Sequence, residues 1–200
     1  TAPGERPIGR FGTQIEDRTP GQRQNARLSA EKIDGVTVQP GEVFSFNQTV
    51  GPWSRDRGYR KAPVSYNGQL IASWGGGVCQ TSTTLYNAAL LAGMDVIERH
   101  PHRFSPAYAP PGRDAAVAYQ NIDLKIRNNH PFPVRFRAGI QGGRLVAEIV
   151  ARQNLAAVPL IRGEVRNLRE PREYRIVAGD RAARVRNSGK PGYEVLVWRE

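Results

Sequence analysis

Apolar residues recur at every third or fourth position in one stretch of the chain. Leu85, Ala88, Ala89 and Ala92 follow i, i+3, i+4, i+7 spacing, and Gly93 stands where a C-terminal cap belongs, so a central helix is expected from Cys79 onward. A second helix is expected after Thr19-Pro20, an N-cap with proline at the first helical position. It runs to about Asp34, with Ala26, Ala30 and Ile33 on one face and Gly35 ending it. Elsewhere the pattern alternates, as strands do. Val43–Asn47 and Asp95–His100 read as strands, and 48–61 as a polar loop. Ala115–Tyr119, Ile122–Arg127, Val134–Ala138 and Leu145–Ala151 follow, the last two separated by the turn residues Gly142-Gly143. Pro106, Pro110, Pro111 and Gly112 make the segment before them a shaped loop.

The expected fold is therefore α+β: a β-rich single domain with an antiparallel meander, a short N-terminal helix and a central helix. Residues 1–20 read as an irregular arm and 21–152 as the core domain. Residues 153–200 are Arg-rich, and Glu173–Val177, Ala183–Arg186 and Tyr193–Trp198 give a strand-rich C-terminal extension. No run approaches the roughly 20 apolar residues of a membrane helix. The chain opens with Thr1-Ala2-Pro3-Gly4-Glu5 and not with a signal sequence, as expected of a mature or trimmed form or of a cytoplasmic protein.

The net charge is +11, from 29 Lys and Arg against 18 Asp and Glu, and only four residues are lysines. Such a surface attracts polyanions. The arginines are scattered and no nucleic-acid-binding signature is present, so nucleic acid is not the expected partner. A single cysteine excludes an internal disulfide and a four-cysteine zinc site, and leaves the compartment open.

That cysteine carries the chemistry. Cys79 follows Gly75-Gly76-Gly77-Val78 and opens a helix, where the positive end of the dipole favours a thiolate. Flexible glycines upstream let backbone N–H groups converge on an oxyanion, and a surface turn of this kind adds little to the core. The competing reading is a small buried packing residue. His100 and His102 lie in Glu98-Arg99-His100-Pro101-His102, and Asp114 follows in Gly112-Arg113-Asp114-Ala115. Cys, His and Asp on separate elements suit a nucleophile, its base and the residue orienting the base. The alternatives are a structural histidine and a turn-forming aspartate. A zinc site from Cys79, His100, His102 and Asp114 has the right ligand types but not the usual spacings, so no metal and no cofactor is expected. Arg99 and Arg113 are candidates to hold a substrate carboxylate, against the ordinary fate of solvated arginines. Tyr59, Trp74 and Tyr108 are candidate groove walls, although aromatics near strands are usually core.

The blocks Pro40-Gly41-Glu42-Val43-Phe44-Ser45-Phe46-Asn47, Val50-Gly51-Pro52 and Arg57-Gly58-Tyr59 resemble the opening of the VanW-type domain. Gly75-Gly76-Gly77-Val78-Cys79-Gln80-Thr81-Ser82-Thr83-Thr84-Leu85-Tyr86-Asn87-Ala88 resembles its signature, and the His100, Asp114 and Asp123-Leu124 blocks follow in the family's order. The resemblance spans roughly residues 8–150. It implies a bacterial, extracytoplasmic cell-envelope protein, because some VanW-type domains are held to be peptidoglycan L,D-transpeptidases that use a cysteine. On that resemblance Cys79 is the nucleophile; joined to the chemistry above, His102 is its base and Asp114 the partner of the base. The implied partners are peptidoglycan stem peptides or anionic wall polymer, with membrane contact only through a segment absent from this chain. A serine often follows the second histidine of the motif, and Arg103 stands there instead. Two alternatives stay open: a cysteine peptidase or carboxypeptidase of wall peptides, and a non-catalytic wall- or glycopeptide-binding module.

Overall fold

A computed structural model of the chain describes residues 4–66, 69–153, 155, 160–162, 166–168 and 192–199. The chain opens with strand β1 (Arg6–Gln14), helix α1 (Pro20–Ile33) and strands β2 (Thr37–Val38) and β3 (Val43–Ser45). A short helix α2 (Phe46–Val50) and the hairpin β4 (Lys61–Tyr66) and β5 (Gln69–Trp74) lead into helix α3 (Val78–Leu91). Then come β6 (Asp95–Glu98), β7 (Lys125–Arg127), β8 (Val134–Gln141) and β9 (Arg144–Ala151). Past residue 153 the described strands are β10 (Leu160–Arg162), β11 (Arg166–Leu168), β12 (Gly192–Glu194) and β13 (Val197–Arg199). The described residues thus form an α+β fold whose strand pairs are antiparallel.

The main sheet has the order β1-β9-β8-β2. Period-two alternation places Leu145, Ala147, Ile149 and Ala151 of β9 on one face with Val134 and Phe136 of β8, and all six are buried. Helices α1 and α3 cover that face. Thr19 caps α1 through a capping box with Gln22, and Pro20 fills its first turn, as the sequence requires. α1 buries Ala26, Ala30 and Ile33. α3 buries Leu85, Ala88 and Ala89 and lies so close to β1 that a Cβ on Gly9 would come within 2.3 Å of the Ala88 carbonyl oxygen. The smaller sheet, β3-β7-β6, closes the far side of α3.

Six expectations need correction. The expected irregular arm contains β1, an edge strand paired along β9 that buries Ile8 and Thr13. Pro7, Gly9 and Gly12 broke its alternation in the sequence, yet Gly9 is the residue the close approach of α3 demands. Ala115–Tyr119 is not a strand: it makes only the isolated bridges His100↔Ala116 and Ala118↔Ile122. Val43–Asn47 stops as a strand at Ser45, whose side chain caps α2, and Ile122–Arg127 pairs as a strand only over Lys125–Arg127. The polar loop 48–61 includes the end of α2 and a 3-10 turn at Arg55–Arg57. In the C-terminal segment Tyr193–Trp198 divides into β12 and β13, while Glu173–Val177 and Ala183–Arg186 lie outside the described residues. Among the described residues no helix is long and apolar enough to cross a membrane.

Candidate functional site

Gly77, at φ +106°, is the N-cap of α3, so Cys79 falls in the first turn of that helix. The N–H groups of a first turn have no intrahelical acceptor. Val78 N–H turns back onto the Gly75 carbonyl at 2.9 Å and Gln80 N–H onto that of Gly77 at 3.1 Å. The Cys79 N–H between them has no backbone acceptor among the described residues. The half-buried Cys79 sulfur contacts the Val117 carbonyl at 3.4 Å.

His102 and Asp114 come to this sulfur on the loop after β6. Asp114 is 2% exposed. Its Oδ2 accepts from the His102 backbone N–H at 2.6 Å and from His102 Nδ1 at 2.7 Å, while Oδ1 accepts from Arg99 at 2.9 Å. With Nδ1 held by the carboxylate, the other ring nitrogen is the one left for the Cys79 sulfur, whose nearness favours the charged ring. Burial of His102 works against its charged form, but the bond to Asp114 and the nearby Cys79 sulfur prevail and raise its pKa from 6.5 to about 9. Burial likewise favours protonated Asp114, and the His102 bonds with the Arg99 charge overcome it and hold the carboxyl below its ordinary range. The structure therefore brings Cys79, His102 and Asp114 together in one relay, in which the histidine is bonded to the carboxylate and its charged form is favoured at neutral pH.

Other expected site residues are placed differently. Arg99 is turned inward: its Nε donates to the Asp114 carbonyl at 2.6 Å and its Nη2 to both Gly112 O and Asp114 Oδ1. Arg113 donates to Asn87 Oδ1 at 2.6 Å and lies over the Phe11 ring. Both arginines brace the loop, because both reach backbone or buried amide groups before they reach solvent. Tyr59 is 2% exposed in the core, its hydroxyl near Ser29 and the Val50 carbonyl, so it is no groove wall. Gly75, Gly76 and Gly77 are not a free surface turn. A Cβ on them would meet the Trp53 ring at 2.1 Å, the Ala62 carbonyl oxygen at 2.6 Å and the Gln22 carbonyl oxygen at 2.4 Å. Their lack of side chains is explained by packing of α1, β4 and Trp53 against the helix start. His100 turns to Glu98 at 3.1 Å, outside the relay. Among the described residues no group of three or more His, Cys, Asp or Glu side chains is arranged to hold a metal.

A profile described as "VanW like protein" matches residues 21–150. The chain belongs to the VanW-like family. It is 40% identical over 139 residues to the uncharacterized protein YoaR of Bacillus subtilis, covering 70% of this chain and 46% of that protein. It is 28% identical over 152 residues to the vancomycin B-type resistance protein VanW of Enterococcus faecalis, covering 73% of this chain and 55% of that one. The chain thus spans about half the length of the curated relatives it matches. No solved structure matches it.

In this VanW-like domain the residues that sequence reasoning missed are the ones that hold the relay. Ser82 and Thr83 donate to the Ala115 carbonyl at 2.7 and 3.3 Å, and Asn87 donates to that of Arg113 at 2.7 Å. Thr83 Oγ1 in turn accepts from the Ala115 N–H at 3.0 Å. The run Thr81-Ser82-Thr83-Thr84 was a usable signal, since hydroxyl residues are poor choices inside a helix unless they have partners. Trp53, stacked edge-on against Tyr119 at 5.9 Å, closes the side of the site next to Gly75 and was not singled out.

Proposed function

We propose that this chain is a cysteine acyltransferase of the cell envelope that acts on peptidoglycan stem peptides in an L,D-transpeptidase reaction. The observation that carries the reading is the Cys79–His102–Asp114 relay at a helix start. Cys79 Sγ attacks the carbonyl between a diamino acid and a terminal D-alanine, forming a tetrahedral intermediate. The unpaired Cys79 N–H is the donor best placed for its oxyanion. The imidazolium of His102 gives its proton to the departing D-alanine, leaving an acyl-enzyme. Neutral His102 then takes a proton from the acceptor amine as that amine attacks the thioester and expels the thiolate, which restores the thiolate–imidazolium pair. Asp114 keeps the ring oriented throughout and favours its charged form. A wall-peptide substrate agrees with the vancomycin resistance in the name of one relative. A net charge of +11 suits association with anionic wall polymers.

The test is incubation with a disaccharide tetrapeptide donor and acceptor, read by mass spectrometry for cross-linked dimers and for an acyl adduct on Cys79. Wild type should make both and Cys79→Ser neither. Free tetrapeptide shortened by one residue, without dimers, would identify a hydrolase. Dimers formed equally well by Cys79→Ser would refute the proposal.

A further inference from the structure

Arg99 and Arg113 are consumed by the loop that carries the relay, but Arg18, 61 positions before Cys79, is not. Arg18 lies in the turn between β1 and α1. Its backbone is fixed: its N–H donates to the Ile15 carbonyl at 3.1 Å, and its own carbonyl accepts from Arg23 at 2.8 Å. The next residue, Thr19, caps α1, and the Gln22 backbone of that first turn packs on Gly77. The root of Arg18 is thereby tied to the start of the helix that bears Cys79. Its half-buried guanidinium sits 5.0 Å from the centre of the Tyr108 ring. That ring meets the His102 ring edge-to-face at 6.5 Å.

Among the described residues no carboxylate is paired with Arg18. Tyr108 is no counter-ion either, because burial, with the nearby Cys79 charge, pushes its phenol well above the ordinary range and keeps it neutral. A guanidinium held half out of water on an aromatic face, with its donors unspent among the described residues, is a receptor for a planar anion.

We infer that Arg18 binds a substrate carboxylate one residue beyond the bond that Cys79 attacks, which confines the reaction to the last peptide bond of a chain with a free C-terminus. The inference rests on the acyl-transfer reading for its substrate, and it names the residue that selects it. One extended residue spans about 3.5 Å, so a terminal carboxylate lies within one residue's reach of the attacked carbonyl. The leaving group is then a free amino acid and not a longer peptide.

The test uses anionic and neutral forms of the same probe. Cys79 is alkylated with iodoacetate and with iodoacetamide in wild type, Arg18→Gln and Arg18→Lys, and the adduct is followed by mass spectrometry. Arg18→Gln should slow iodoacetate about tenfold and leave iodoacetamide within about twofold, with Arg18→Lys between. An equal change with both reagents, or none with either, overturns the inference. The second arm measures binding of an N-acetylated tetrapeptide ending in D-alanine to Cys79→Ser, as the free acid and as the C-terminal amide. The acid should bind about tenfold tighter, and Arg18→Gln should abolish the difference. An unchanged acid preference in Arg18→Gln overturns the inference even if wild type transfers acyl groups normally. Loss of that preference in a protein that forms no dimers keeps the carboxylate site and removes the transpeptidase reading instead.

Discussion

Replacing Asp114 by Asn keeps its shape and removes its charge, and the consequences follow from three bonds. Asp114 accepts two hydrogens from His102 on Oδ2 and one from Arg99 on Oδ1. An amide has one oxygen and one NH₂, so whichever way it turns, at least one of these donors faces another donor. An orphaned buried donor costs about 1–3 kcal/mol. The charge matters as much. In wild type the pKa of His102 is raised from 6.5 to about 9, a difference of about 3 kcal/mol between its protonation states. Because the folded value lies above the unfolded one, this stabilisation is fully present below pH 6.5 and is lost as pH rises through about 9. Without the carboxylate, burial acts on the imidazolium with less to oppose it, and the ring should titrate more than about one unit lower.

Two measurements check this. Proton NMR of the His102 ring should show a midpoint near 9 in wild type and a clear fall in Asp114→Asn. Urea unfolding should show the variant about 3 kcal/mol less stable at pH 7, with the gap narrowing to roughly 1 kcal/mol by pH 10 as wild type loses the His102 contribution. A variant whose His102 still titrates with the wild-type midpoint, or a stability gap independent of pH, would refute the assignment of Asp114 as the group that charges the histidine.

Gly77→Ala should lower the melting temperature together with any activity. The new Cβ meets the Gln22 carbonyl at 2.4 Å with φ at +106°, costing about 1 kcal/mol in strain and about 1–3 kcal/mol in overlap; a variant with wild-type stability would show that α1 does not pack on this turn. Tyr59→Phe should cost about 1 kcal/mol in unfolding free energy and leave the rate of Cys79 alkylation unchanged, whereas an altered rate would return Tyr59 to the site. His102→Ala should lower cross-linking by about two to four orders of magnitude and His100→Ala by less than about threefold. Equal losses at both would point to folding in place of acid–base chemistry.

The legible parts of the molecule are those where a local rule and the tertiary environment agree. α3 is marked by its 3.6-residue period because Leu85, Ala88 and Ala89 all face the core, and α1 by Thr19-Pro20, which caps it in the structure as in the sequence. Cys79, His102 and Asp114 stood out because cysteine and histidine are scarce in this chain and the resemblance put the three in order. The hairpin β4–β5 was invisible for the opposite reason. Leu70 is 77% exposed, Pro63 interrupts β4, and pairing between two strands leaves no apolar alternation to detect. Arg99 illustrates another limit. Standing next to His100 in sequence says nothing of direction, and its side chain folds back on Asp114, 15 residues later. Arg18 was out of reach because only packing of α1 on Gly77 brings it to the site.

The strand that fails to form at 115–119 and the run of hydroxyl side chains in α3 have one cause. A backbone that passes beside a helix without joining a sheet must still satisfy its carbonyl groups, and here side chains do it. The carbonyls of Gly112 and Asp114 accept from Arg99, that of Arg113 from Asn87, that of Ala115 from Ser82 and Thr83, and that of Val117 from the Cys79 thiol. Thr83 also accepts the Ala115 N–H at 3.0 Å. Each polar residue at these buried helix positions lowers helix propensity by a few tenths of a kcal/mol relative to leucine. Each also fixes one peptide of the loop against the same helix that carries Cys79. A β-strand would have placed Asp114 by its register with a neighbouring strand. Suspension from α3 places it by reference to the helix itself, so Cys79 and the carboxylate bonded to His102 are both positioned by one rigid element.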